Sequence, residues 1–202
     1  MRPTVEDLQA IWLFTYSRSS LLDAANFLAE LDKVAPESVQ YLALVDAAVA
    51  AYGRPFTACW VPAKRRVVPL KNVHPPQHLA EFHEYALILR NTIVGHKDAT
   101  PAKGYTATPN IVLVRIGSGK FALHTGMIGE MGPALKNALN ELCAYFVKHC
   151  EENLSRLTKN CRSEVMKNPP GEYELVISEP PADWLIPFRT KDGADFRAPR
   201  AD

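Results

Sequence analysis

Apolar residues recur at spacings of three and four along much of the chain, which is the signature of one helix face. Thr4 is a favourable N-cap, with Asp7 in the N3 position and Glu6 in the first turn. Leu8, Ile11, Trp12 and Tyr16 continue the stripe, predicting a first helix to about Arg18. Leu21, Leu22, Ala25, Leu28 and Ala29 predict a second stretch to about Val34, either continuous with the first or restarted at Ser19-Ser20. A third helix is expected from Pro36, at its favoured early position, through the alanine-rich run to Gly53. Pro55 stops it, because the residue before a proline leaves the helical region. Phe82, Ala86, Leu89 and Ile93 predict a fourth helix from about Pro76 to Gly95. The longest stripe starts at Pro133, runs through Leu139, Leu142, Phe146 and Cys150, and reaches about Val165 before Asn168-Pro169-Pro170-Gly171 breaks it.

Between these stripes the pattern changes. Cys59 to Pro76 reads as a loop carrying Lys64-Arg65-Arg66 and several prolines, and Asp98 to Asn110 reads as a second loop. Two β-rich runs, Ile111–Ile116 and Lys120–His124, flank Gly117-Ser118-Gly119 and predict a hairpin over about 111–124. Tyr173–Ile177 is a short strand expected at that hairpin's edge. Trp184, Leu185, Ile186 and Phe188 form an apolar arm. The expected fold is therefore mainly α: an up-and-down helical bundle of four to five helices with a small β-hairpin insertion. It forms a single domain over residues 1–186, and 187–202 is expected to be a flexible C-terminal tail.

Composition narrows the classes. The 202 residues include 47% apolar types, enough for a real core. With 23 basic and 22 acidic residues the net charge is +1, which argues against a protein that coats nucleic acid. It leaves room for local contact with RNA, for which Lys64-Arg65-Arg66 is the first candidate. No apolar run approaches the ~18 residues of a membrane span, and the start lacks the apolar run of a secretory signal. Cys59, Cys143, Cys150 and Cys161 lack the close spacing of a zinc knuckle. Cys143 and Cys150 share a helix face as small apolar residues. A reduced, cytoplasmic protein is expected. His74, His78 and His83 lie close in sequence, but no acidic or thiol ligand completes a set, so no metal and no cofactor are expected.

The densest chemistry lies between His83 and Asp98. Arg90 brings a planar fork suited to phosphate, and His96 titrates near neutrality. Together they can hold a phosphodiester and move a proton at a neighbouring oxygen, and RNA brings its own 2′-hydroxyl nucleophile. On an ideal helix Arg90 and His96 stand roughly 120° apart, so the helix must unwind at Gly95 or a second subunit must supply the complement. His83 lies two turns before Arg90 and shares its face. Read without any chemistry, the same residues are a helix end with solvated charges, and Tyr52 and Arg54 are a helix C-terminus with a favourable cation. The other reading of Tyr52 and Arg54 is a further phosphate contact.

Arg90-Asn91-x4-His96, followed by Lys97-Asp98, resembles the Arg-x(4–6)-His motif of the HEPN superfamily. Tyr52-Gly53-Arg54-Pro55-Phe56-Thr57 also resembles that family, in the branch related to AbiU2-type abortive-infection proteins. The identifiable residues are confined to these two stretches. The resemblance implies an all-α bundle, a homodimer with two motifs facing across its axis, and metal-independent endoribonuclease activity, in many members as a toxin or phage-defence component. It assigns His96 as general acid or base, Arg90 to the scissile phosphate and Asn91 to orienting the phosphate or the histidine. Lys97, Asp98, Arg54, Tyr52 and His83 are substrate-side candidates: Lys97 adds charge, and Asp98 either fixes the histidine tautomer or caps the hairpin loop. RNA is the implied substrate and an antitoxin an implied partner. The alternative is a non-catalytic HEPN-like module that binds a nucleotide, RNA or a partner protein.

Overall fold

The computed structural model describes residues 3–36, 38–62, 65–91, 110–117, 120–127, 131–177 and 184–187. Within them the fold is a mainly α bundle of four helices carrying a small β-hairpin. Helix α1 (Val5–Glu30) opens on a capping box. The Asp7 backbone N–H donates to Thr4 Oγ1 at 3.1 Å, and the Thr4 N–H donates to Asp7 Oδ2 at 3.0 Å. Two of the orphan donors of the first turn are thereby satisfied. The helix is continuous through Ser17, Ser19 and Ser20, so the two predicted stretches are one element. Ser17 and Ser20 are buried, small side chains on a helix that packs along both α2 (Val39–Gly53) and α4 (Pro133–Val165).

Helix α2 starts three residues later than its proline suggests. Ser38 is the cap, and its Oγ accepts the Tyr41 N–H at 3.1 Å. The predicted 59–76 loop is a correction: it holds an antiparallel pair, β1 (Cys59–Val61) with β2 (Arg65–Val67), in which Trp60 faces Arg66. A single 3-10 turn over Gln77–Leu79 then leads into α3 (Ala80–Leu89). Strands β3 (Asn110–Gly117) and β4 (Lys120–Met127) make the expected hairpin, with three more residues on its second arm. Strand β5 (Tyr173–Leu175) does not join that hairpin, but pairs antiparallel with β6 (Leu185–Pro187) of the apolar arm. The link is local, since the Val176 N–H also donates to the Trp184 carbonyl at 2.9 Å.

One apolar cluster joins the helices. It takes Leu21, Ala24 and Leu28 from α1, Val45, Ala48 and Val49 from α2, Ala86 and Leu89 from α3, and Leu139, Leu142 and Phe146 from α4. Cys143 and Cys150 lie in the same cluster, on the shared face their spacing predicts. All four cysteines are free thiols. Among the described residues no helix is long and apolar enough to cross a membrane.

Candidate functional site

The spacing of seven between His83 and Arg90 sets both on one face of α3, and that face meets the end of α2. The meeting is close because the partner is glycine. A Cβ at Gly53 would stand 2.6 Å from Arg90 Cγ and 3.2 Å from its Cβ and Cδ. Gly53 has φ −76°, an ordinary helical value, so space rather than backbone freedom demands glycine here. The Arg90 stem therefore lies across the last turn of α2. At Arg90 and Asn91 the helical coil widens into a π-type turn, a feature that recurs at functional sites. The Arg90 guanidinium donates to Asn91 Oδ1 at 2.9 Å, which orients one arm of its fork. Asn91 itself is exposed and Arg90 half-buried.

One turn further into the fold, Tyr52 is only 1% exposed and its hydroxyl sits 2.6 Å from His83 Nδ1. Burial pushes the phenol's pKa well up, with a smaller contribution from the Cys143 thiol, and burial also lowers the imidazole's. Both groups therefore stay neutral at physiological pH. Among the described residues the Tyr52 hydroxyl has this one partner. If it donates to Nδ1, no buried hydroxyl proton is orphaned. That choice fixes the tautomer: His83 carries its remaining proton on Nε2, as a neutral donor.

Aromatic rings hold the imidazole in place. Phe56 lies edge-on at 4.7 Å between centroids, and Phe146 of α4 is at 5.6 Å. Phe56 in turn meets Phe146 at 4.9 Å. The turn that carries Phe56 is tied down by Thr57 Oγ1 donating to the Gly53 carbonyl at 2.9 Å, and by the Leu70 N–H donating to the Pro55 carbonyl at 3.0 Å. Cys143 beside this cluster is pushed up to about 12 by burial, so it is a packed thiol and not a nucleophile.

His83 also lines a cleft of about 790 Å³ between α3 and the segment after β2. Phe56 forms part of its wall, and Arg66, Lys71, His74 and Glu84 supply its polar groups. Arg66 and Lys71 set two fixed cations along it against the one carboxylate of Glu84. The Tyr145 hydroxyl, donating to the His74 carbonyl at 3.1 Å, anchors the far wall to α4.

The sequence candidates thus divide. Tyr52, His83, Arg90 and Asn91 come together at the α2–α3 corner. Tyr52 is buried there, with its hydroxyl engaged by His83. Arg54 is exposed on the 3-10 turn that follows α2. His96, Lys97 and Asp98 lie outside the described residues, as do Gly95 and Ile93. The three neighbouring histidines diverge. His78 Nε2 pairs with Glu141 Oε1 at 2.9 Å, His74 is exposed, and His83 turns to Tyr52. No group of three or more potential metal ligands occurs among the described residues. Sequence reasoning missed Phe56 and Phe146 as walls of the His83 niche, and Lys71 as a cleft cation. Phe56 stood within the 52–57 stretch and Phe146 in the longest helical stripe, but neither pattern ties them to His83, and Lys71 was a charge in a proline-rich connection beside an already basic run.

Comparison of the chain with family models, with curated proteins and with solved structures found no match in any of the three.

Proposed function

We propose that the chain is a metal-independent endoribonuclease of HEPN type that works as a homodimer in the reducing cytoplasm. Arg90 binds the scissile phosphate and stabilises the charge that builds on it. His96 moves a proton at the 2′-hydroxyl or the leaving oxygen, and Asn91 orients the Arg90 fork. The observation that carries this reading is convergence. The two stretches that resemble the family, 52–57 and 90–98, stand far apart in sequence. Yet Arg90, the first residue of the second stretch, packs directly on Gly53 of the first. A toxin or phage-defence role, with an antitoxin as partner, belongs to the same reading.

The same contact also favours a second reading. An arginine stem seated on a glycine is a packing device, and in a non-catalytic binding module it would need no substrate. Mutation separates the two. Purified protein incubated with RNA in EDTA is expected to cleave it, and Arg90→Ala and His96→Ala are expected to lose cleavage while still folding. Light scattering is expected to give a dimer mass. A well-folded wild-type protein that cleaves no RNA overturns the nuclease reading and leaves the binding module.

A further inference from the structure

Trp60 is 65% exposed, although an indole is among the side chains most favoured by burial. Its neighbour Val61 is 4% exposed, so β1 alternates and sends Trp60 outward by design of the strand. Directly across the pair stands Arg66, whose guanidinium carbon lies 5.9 Å from the ring centroid. That is cation–π range, and it holds the indole plane against the hairpin. Arg66 also lines the cleft that contains Lys71, Asn72 and His83. A flat aromatic surface therefore runs into a basic groove through one shared arginine. An exposed ring under an arginine that also borders a cleft holding Lys71 fits a ligand that has both a planar π-face and a negative charge at close, regular spacing.

We propose that the β1–β2 hairpin and the adjoining cleft form a subsite for single-stranded RNA, in which one base stacks on Trp60 and the neighbouring phosphate lies against Arg66 and Lys71. This rests on the reading of the chain as an RNA-acting protein and adds where the strand is gripped beyond Arg90, in a cleft that shares His83 with the α2–α3 corner. Base stacking on an aromatic ring is tolerant of sequence, so the subsite grips any unpaired strand and excludes duplex, whose bases are already stacked. Asn72, on the cleft wall, supplies hydrogen bonds to sugar or base edge.

The test uses fluorescence anisotropy with a short, labelled, fully 2′-O-methylated single strand, which binds but lacks the nucleophile for cleavage. Trp60→Ala is expected to weaken binding about tenfold, and Trp60→Phe to keep most of the affinity. Lys71→Glu is expected to weaken it comparably and to reduce the slope of log affinity against log salt by about 0.7. Thermal melts confirm that each variant folds. A duplex of the same sequence is expected to bind more weakly than the strand. Wild-type affinity in both Trp60→Ala and Lys71→Glu overturns the subsite. So does a wild-type protein that ignores the strand while losing a self-association on Trp60→Ala, since the patch is then a protein contact. Cleavage of unmodified RNA is read in parallel. Wild-type affinity together with wild-type cleavage of subsaturating RNA in both variants overturns the subsite and leaves the nuclease reading standing. Trp60-dependent binding without any cleavage does the reverse.

Discussion

At the scale of residues, the Tyr52–His83 pair is the most constrained chemistry in the described fold. A phenol and an imidazole share one short hydrogen bond inside an aromatic niche, and burial keeps both uncharged. Removing the hydroxyl strands the imidazole nitrogen in a place water reaches poorly. Tyr52→Phe is therefore expected to lower stability by about 1–3 kcal/mol, measured by urea unfolding, with little change in the denaturant slope. A variant as stable as the wild type would show that the bond contributes nothing. The spacing of His83 to Arg90 was legible in the sequence because two turns of helix bring residues back to one face. The partner of each was not. That Tyr52 meets His83 and Gly53 meets Arg90 depends on how α2 lies against α3, which no periodicity encodes.

At the scale of elements, the end of α2 is the seat on which the α3 terminus rests. Substituting alanine for Gly53 has two opposed effects. Alanine favours helix by about 1 kcal/mol over glycine. Its methyl would also stand 2.6 Å from Arg90 Cγ, so the arginine stem has to move. The two effects offset each other in stability but not in position. Gly53→Ala is expected to leave the melting temperature nearly unchanged and, on the proposed nuclease reading, to reduce RNA cleavage at least tenfold. Full cleavage by this variant would show that the seat does not place Arg90. The elements themselves were unevenly legible. Helix α4 has the predicted bounds, because Pro133 starts it and a proline pair follows its end. Helix α1 looked divisible at Ser19-Ser20, but Ser20 is a small residue buried under neighbouring helices and Ser19 is exposed on an unbroken helix. Strands β1 and β2 have three residues each, too short for an alternation to stand out, and prolines and charges surround them. Strand β5 was recognised, but its partner lies in an arm whose sequence gives no pairing signal.

At the scale of the whole molecule, two shifted groups on the acid side, His83 and Asp46, affect the fold with opposite sign. His83 has a native pKa below its ordinary 6.5, so the unfolded chain holds more protons between those values. Its contribution to stability therefore rises with pH up to about 6.5. Asp46 of α2 has a native pKa raised above its ordinary 3.8 by burial, so there the native state holds more protons. Its contribution falls as pH rises through that window and remains a penalty at neutrality. Its Oδ1 is buried without a hydrogen-bond partner among the described residues. Asp46→Asn is accordingly expected to raise the melting temperature at pH 7. The gain should shrink as acid protonates the wild-type carboxylate. A gain independent of pH, or none, would assign the effect to packing instead.

Helix α1 packs along α4, and Arg18 Nε donates to Glu151 Oε1 at 2.9 Å across a separation of 133 positions. A ribosome adds roughly 5–20 residues each second, so the first of these side chains emerges roughly 7–27 s before the second. During that interval α2 can already dock, but the flank of α1 that belongs to α4 stays bare. Closing α4 onto α1 therefore joins an early and a late part of the chain, and waits until α4 has been made. Translation speed, and whatever shields a growing chain, bear on how long that flank stays uncovered.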